Sequence, residues 1–498
     1  MKENFYITTP IYYPSAKPHM GHAYSSIAAD VIARFKYLEG YNVFFLTGTD
    51  EHGLKIQKAA IANDKTPQEF CDQVSKTFID LCKILNLSNN DFIRTTEKRH
   101  KDTAQHLWNL LQKNDQIYLS KYAGWYSVSD EAYYSDDEIE NKNGSMVSKI
   151  SNSKVEWMEE EIFFFRLSAW QEKLLEFYEK NPNFILPESR RNEVVSFVKS
   201  GLKDLSVSRT TFNWGIEVPN NNKHVMYVWL DALTNYLSAT NFFDNHNGFW
   251  PADVHIIGKD ILRFHSVYWP AFLMAAGLPL PKTIFGHGWI LSGDEKMSKT
   301  KGNILDPVEL INEYGLDQVR YYLMKEVMFG LDGRINLDNL KICINDLANN
   351  IGNLTNRIFT IIEKNYNSQV PVVSKDYIID SDLILNKNNF IKYINKFEIH
   401  SYVKEIHSYS SKVNKYVNDN EPWNKKKNSD IIIKNIIYSS LNSLKNIFIL
   451  LYPIMPSISI EFLKNLSISE KEINLTLLSK TLECNLKILK PKILFKKY

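Results

Sequence analysis

The chain has 498 residues, more than one hydrophobic core usually organises, so several domains are expected, and its 44% hydrophobic and 13% aromatic content can fill a sizeable interior. Four scattered cysteines, Cys71, Cys82, Cys343 and Cys484, exclude a disulfide framework and a Cys-x-x-Cys metal knuckle, and fit a reducing compartment. The net charge of +2 is segregated: residues 341–498 carry 23 Lys and Arg against 14 Asp and Glu, a net +9, which leaves −7 on residues 1–340. That last third suits a polyanion partner, although a solvated Lys-rich surface, in a stretch also rich in Asn and Ile, has the same composition.

The start, Met1-Lys2-Glu3-Asn4-Phe5-Tyr6, lacks the regions of a signal peptide. The longest apolar run, Ile447 to Met455, is too short for a bilayer and contains Pro453, so it reads as a buried helix end. A cytoplasmic protein with no membrane partner is expected.

Phe5 to Thr8 alternates like a strand, Pro10 to Pro18 reads as a loop, and Met20 to Leu38 has helical spacing that ends at Gly40. Val43 to Leu46 reads as a second buried strand. This β-α-β unit is expected to bind ligands beyond the carboxyl ends of its strands, where the Thr9-Pro10 loop and Thr47-Gly48-Thr49-Asp50-Glu51-His52-Gly53 lie. The pattern returns with a strand over Val254 to Ile257 ending in Gly258-Lys259-Asp260, and another over Thr283 to Phe285 ending in Gly286-His287-Gly288. The fold is therefore α/β, a nucleotide-binding parallel sheet split by an insert. The expected domains are 1–115, the first half of that fold; 116–227, the inserted domain; 228–291, the second half; 292–348, a loop and stem region; and 349–498, an amphipathic all-α bundle.

Two segments carry the chemistry. His19 and His22 in Pro18-His19-Met20-Gly21-His22 share one face at a helix start, where backbone N–H groups favour phosphate, and Gly21 allows a base or ribose to approach. Lys296 and Lys299 in Lys296-Met297-Ser298-Lys299-Thr300 sit between Gly293 and Gly302, where cations on a hinged loop can stabilise a departing pyrophosphate. Taken singly, these are also readable as surface histidines beside a turn and a solvated lysine pair. Asp260 is placed to accept ribose hydroxyls or to cap a helix. A P-loop is disfavoured because Leu54 and Lys55 follow Gly53, and no G-x-G-x-x-G run appears.

In this order the two segments resemble the HIGH and KMSKS signatures of class I aminoacyl-tRNA synthetases. Further motifs make the resemblance specific to the methionyl-tRNA synthetase family, bacterial or organellar type, over essentially the whole chain: Thr8 to Tyr13, Thr49 to Gly53, Tyr227-Val228-Trp229-Leu230-Asp231-Ala232, Ile257 to Ile261 with His265 and Trp269, and Gly286 to Trp289. The resemblance implies a Rossmann-like fold of the HUP type with an inserted connective domain and a C-terminal anticodon-binding bundle. It implies activation of L-methionine by ATP with Mg²⁺, followed by transfer to initiator and elongator tRNA(Met). ATP would meet His19, Gly21, His22, Gly258, Asp260, His287, Gly288, Lys296 and Lys299, with His19, His22, Lys296 and Lys299 catalytic. Methionine would lie among Ile11, Tyr13, Trp229, Ala232, Tyr236, Ile261, His265 and Trp269, a polarizable slot suited to a thioether, with Asp50 on its ammonium and Arg209 in the polar shell. Asn353, Arg357 and Trp423 would read the anticodon, the tryptophan by stacking.

The sequence departs from the family pattern at Met20 and Thr300, which preserve character, and at Tyr126-Ser127-Val128-Ser129-Asp130-Glu131. There Ser127 and Asp130 stand where many relatives carry zinc-binding cysteines, so no zinc is expected. The chain ends at Tyr498 without the appended domain that often dimerises relatives, so a monomer is expected. Synthetases for leucine, isoleucine and valine normally carry a larger insert, the cysteine enzyme needs zinc ligands, and a non-catalytic RNA-binding paralogue or a small nucleotidyltransferase would not need this combination of signatures and basic bundle.

Overall fold

The computed structural model describes residues 2–130, 132–142, 144–244, 247–292, 295–296, 306–424, 426, 428–492 and 494–498. Lys299 lies outside the described residues, and Lys296 is described in its backbone alone. The chain forms two compact units: Asn4–Ala29 with Phe44–His287, and Met1–Glu3 with Asp30–Val43 and Gly288–Tyr498.

The first unit is built on a six-stranded sheet whose strands lie in the order Asp91–Arg94, Asn42–Thr49, Asn4–Tyr12, Val254–Gly258, Ile284–His287, Ile185–Leu186. Parallel pairing runs Leu46 with Asp91, Ile7 with Val254, His255 with Ile284, and Ile284 with Ile185. Residues Tyr6 to Pro10 are buried without a break, as strands covered on both faces require. The predicted loop at Pro10 is instead strand as far as Tyr12: Pro10 lies past Thr8, which registers with His255, so its missing N–H costs no ladder bond on that side. Strand order reverses between Asn4–Tyr12 and Val254–Gly258, and crevices at such a reversal, beyond the carboxyl ends, are where open α/β sheets bind ligands. The first helix, Met20–Glu39, starts there and is buried along nearly its whole length by small and aromatic residues, among them Ala23, Tyr24, Ala28 and Ala29. It ends against Gly40, whose φ of 98° breaks the helix without strain.

The insert opens with a long antiparallel hairpin, Ile117–Ser127 against Glu156–Phe165, in register from Ile117 with Phe165 to Tyr126 with Glu156. Its base, Phe163 and Phe165, joins the unit's main core, whereas Trp157 towards its tip is 51% exposed. The short strand Ile185–Leu186 leaves the insert to become the edge of the main sheet, a pairing too short to read from periodicity.

The second unit is mainly helical. Its helices include Leu316–Glu326, Leu337–Leu347, Asn353–Asn365, Ile399–Asn420, Asp430–Leu451 and Pro456–Asn465. The apolar run at Ile447 is the buried end of Asp430–Leu451, as predicted. Among the described residues no helix is long and apolar enough to cross a membrane. A charged knot fixes the centre: Arg320, fully buried, donates to Asp30 Oδ2 at 2.6 Å and to the carbonyls of Pro453 and Ile454 at 2.9 and 2.8 Å, while Arg34 Nε reaches the same Asp30 oxygen at 2.8 Å. One carboxylate thus holds two guanidinium groups. Removing its charge strands both, so Asp30→Asn is predicted to cost about 3–5 kcal/mol, read as a lower urea midpoint for the helical unit than in the parent protein.

Candidate active site

Where the parallel strands of the first unit end, the first helix opens on a cap made of its own histidines. His19 N–H donates to His22 Nδ1 at 3.1 Å, and Gly21 N–H donates to His19 Nδ1 at 3.0 Å, in the manner of a capping box. The rings stack at 3.8 Å with 27° between planes. Because both Nδ1 atoms accept, each neutral ring carries its hydrogen on Nε2. Burial, helped by the neighbouring His19, pushes the His22 imidazole well below its usual range, so that ring donates as a neutral group. Gly21 has a local reason as well: a Cβ there would stand 2.9 Å from His19 Cε1, so glycine lets the His19 ring fold back on the cap.

Two neighbours complete this corner. Ser25 Oγ donates to Gly21 O at 3.1 Å and lies 2.7 Å from His287 Nε2, and both bonds are satisfied together when His287 is the donor to Ser25. Gly258 ends its strand with the Asp260 carboxylate against it, since a Cβ on Gly258 would lie 2.6 Å from Asp260 Oδ1. In the second unit, Gly288 is forced by packing, as a Cβ would meet the Leu331 carbonyl carbon at 2.2 Å. The backbone of Glu295–Lys296 pairs with Ile290–Ser292, Leu291 opposite Lys296.

The first unit also gathers an aromatic cluster at the residues expected to form the methionine slot. Trp229 and Ala232 come from Val228–Leu233, Tyr236 from Asn235–Ser238, and Ile261, His265 and Trp269 recur every four residues along the following helical stretch. That stretch includes a turn widened to the i→i+5 pattern at Phe264–Tyr268, a form common at functional sites. His265 Nδ1 lies 3.0 Å from Ile261 O, which can only accept, so Nδ1 carries the hydrogen and Nε2 accepts the Tyr236 hydroxyl at 2.8 Å. Burial lowers His265 to about 4, so the slot presents no charge at neutral pH. Tyr236 and Trp269 rings lie 6.1 Å apart, and Trp229 to His265 is 6.0 Å. Ile11 and Tyr13 pack, partly buried, against the same core. Sequence reasoning missed Phe264, which stacks on Trp229 at 3.8 Å and 4°; its only signal was its place next to His265.

The loop carrying Asp50 is held by its neighbour. Buried Glu51 takes Arg94 through both oxygens, at 2.6 and 3.0 Å, and also accepts from Thr49 and Ser75. Arg209 is buried at Ser208–Arg209 among the rings of Tyr227, Tyr133 and Tyr126, at 4.7, 5.2 and 5.5 Å. It touches the slot through Tyr227, which precedes Val228–Leu233.

At the position of the expected metal-free knuckle, Asp130 accepts hydroxyl hydrogen bonds from Tyr134 at 2.7 Å and from Ser151 and Ser153, and Ser127 donates to Ser153 at 2.8 Å. Burial raises the Asp130 carboxyl, but these bonds outweigh it and hold the group below its usual range.

In the second unit, Trp423 is 51% exposed and so is not a core side chain. Arg357 donates to Asn414 Oδ1 and Asn418 Oδ1, each at 2.6 Å. Those amides, with Asp346, Asn349, Asn350 and Lys415, line a polar groove of about 420 Å³. The groove was legible only as an Asn pair four apart on one helix, too common a pattern to single out.

The chain is similar to known proteins over essentially its whole length. The family described as tRNA synthetases class I (M) matches residues 5–359. The methionine–tRNA ligase of Rickettsia conorii is 49% identical over all of both chains, and that of Rhizobium meliloti is 49% identical over 91% of this chain and 89% of its own. A solved Mycobacterium tuberculosis methionyl-tRNA synthetase in complex with methionyl-adenylate superposes with a TM-score of 0.95 at 41% identity, covering 99% of this chain and 100% of that one. A parallel sheet reversed at the histidine-capped helix, the aromatic cluster in the same unit and a match running through both units place the chain in the methionyl-tRNA synthetase family of class I tRNA synthetases.

Proposed function

We infer that this protein activates L-methionine with ATP to methionyl-adenylate and transfers the methionyl group to the 3′ end of initiator and elongator tRNA(Met), supplying translation in the cytoplasm as a monomer. The observation that carries the reading is an uncharged aromatic slot in the same unit as a helix start bearing two Nε2–H donors.

In the first step the methionine carboxylate attacks the α-phosphorus of ATP, an acyl-phosphate bond forms as the bond to the β-phosphate oxygen breaks, and pyrophosphate leaves. No proton has to move, so positioning and charge stabilisation suffice. Stacked His19 and His22 offer hydrogen bonds to phosphate oxygens without needing a proton of their own, which suits a group kept neutral by burial. Lys296 and Lys299 supply positive charge to the departing pyrophosphate, and Mg²⁺ arrives with ATP. Asp260 and the Gly258 beside it receive the ribose, with Gly21, His287 and Gly288 around the nucleotide. In the second step the terminal adenosine 2′-hydroxyl oxygen attacks the methionyl carbonyl carbon, an ester bond forms as the acyl-phosphate bond breaks, and AMP leaves with the hydroxyl proton passing to its phosphate.

The slot favours a thioether because its walls are apolar and polarizable and its one histidine is neutral, so an unbranched side chain gains sulfur–ring contact while a charged one loses its hydration. Ile11, Tyr13, Trp229, Ala232, Tyr236, Ile261, His265 and Trp269 form it. Asp50 takes the ammonium, and Arg209 acts through Tyr227. In the second unit, Trp423 provides the stacking platform, while Asn353 and Arg357 read base edges, the arginine steadied by Asn414 and Asn418.

Purified protein is expected to exchange pyrophosphate into ATP with methionine and with none of the other nineteen amino acids; exchange with a different amino acid would overturn the slot assignment. Trp423→Ala should lose about 1–3 kcal/mol of stacking, seen as a 5- to 150-fold drop in kcat/KM for tRNA charging with exchange unchanged. Elemental analysis is expected to find no zinc, the knuckle being held by the Asp130 hydroxyl bonds; one zinc per chain would contradict this.

A further inference from the structure

One buried cluster in the first unit has no part in the steps above. Asp231, wholly buried in Val228–Leu233, accepts from His52 Nδ1 at 2.7 Å through Oδ2 and from His100 Nε2 at 2.8 Å through Oδ1. The other nitrogen of His100 lies 3.0 Å from Ser238 Oγ, whose hydroxyl donates to Thr234 O at 3.0 Å. The His100 ring is thereby tied to Asp231 at one nitrogen and to Ser238 at the other. Burial opposes the Asp231 charge, but His52 and His100 outweigh it and hold the carboxylate at about 2.

A buried carboxylate with two imidazole partners is poor value as mere stabilisation, since well-packed apolar side chains of similar volume do as well or better. What it does supply is fixed direction, because each hydrogen bond has one donor, one acceptor and a narrow range of length. The three partners belong to three walls of the slot. His52 lies two residues beyond Asp50, and its carbonyl accepts the Tyr13 hydroxyl at 3.0 Å. Asp231 stands between Trp229 and Ala232 on its helix. His100, on Lys98–Lys113, reaches Ser238, two residues from Tyr236.

We propose that Asp231 is a positioning residue for the amino-acid substrate: through His52 and His100 it sets the spacing between the Asp50 loop, the Trp229 helix and the Tyr236 turn, and so governs methionine affinity while leaving ATP affinity alone. This rests on the reading of the slot as the methionine site. It assigns Asp231 no contact with either substrate.

The test is pyrophosphate exchange by the full-length protein, with rates normalised to active sites from the adenylate burst. Asp231→Asn keeps the shape but turns one acceptor into a donor facing a ring N–H. It is expected to raise KM for methionine about tenfold with KM for ATP within about twofold of the parent. His100→Gln keeps a donor towards Asp231 and loses the bond to Ser238; about a threefold rise for methionine alone is expected, and this variant decides the matter if Asp231→Asn does not fold. A smaller active fraction with both KM values unchanged, or both KM values rising together, would mark the trio as structural and overturn the proposal alone. A parent protein with no methionine-dependent exchange would instead overturn the slot reading, and the proposal with it.

Discussion

The parallel pairing of Asn4–Tyr12 with Val254–Gly258 is the contact on which the first unit depends. It joins residues 247 positions apart, through the register Ile7 with Val254 and Thr8 with His255. Side chains reinforce it: Tyr6 N–H donates to Asp253 Oδ2 at 2.7 Å, Asp253 N–H returns to Tyr6 O at 2.8 Å, and Thr8 Oγ1 meets His255 Nδ1 at 2.8 Å. Closing a loop of that length costs on the order of 5 kcal/mol, and the cost grows only with the logarithm of length. A large insert is therefore tolerated wherever the two halves can meet this way. The same pairing creates the strand-order reversal at which the first helix begins, so the histidine cap, Gly258 and Asp260 are brought to one end of the sheet by a single backbone register.

Around that end the structure places charged and polar groups where they fix geometry. Glu51 is filled by Arg94, Thr49 and Ser75, which leaves the adjoining Asp50 on a loop with little freedom. In the helical unit Asp30 holds Arg34 and Arg320. At the insert Asp130 draws Tyr134, Ser151 and Ser153 to one oxygen. Glu51 and Asp30 are buried and Asp130 is half-buried, and each has several donors, the arrangement that makes such a group affordable in an interior.

The two groups of histidines share a chemical theme. In the cap, backbone N–H groups occupy Nδ1 of His19 and His22; in the slot, the Ile261 carbonyl takes the Nδ1 hydrogen of His265. In both cases the backbone chooses the tautomer and burial keeps the ring neutral where a shift is resolved, at His22 and His265. Neutral rings with a defined donor or acceptor suit the activation step, in which charge moves between phosphate oxygens and no proton is transferred.

Elements with strong local signals were legible in the sequence. The first helix was expected over Met20 to Leu38 and runs Met20–Glu39, because apolar spacing and Gly40 are local properties. The strands at Val254 and near Ile284 were found for the same reason, whereas Asp91–Arg94 and Ile185–Leu186 were not, since strands of four and two residues are defined by their neighbours and not by their own pattern. The order of motifs named the chemistry. Only the tertiary structure decided which nitrogens carry hydrogen, that Phe264 lies under Trp229, that Asn414 and Asn418 grip Arg357, and that Asp231, seen in the sequence only as part of a motif, gathers His52 and His100. Those facts depend on groups up to 179 residues apart meeting at hydrogen-bond distance, and no local periodicity carries that information.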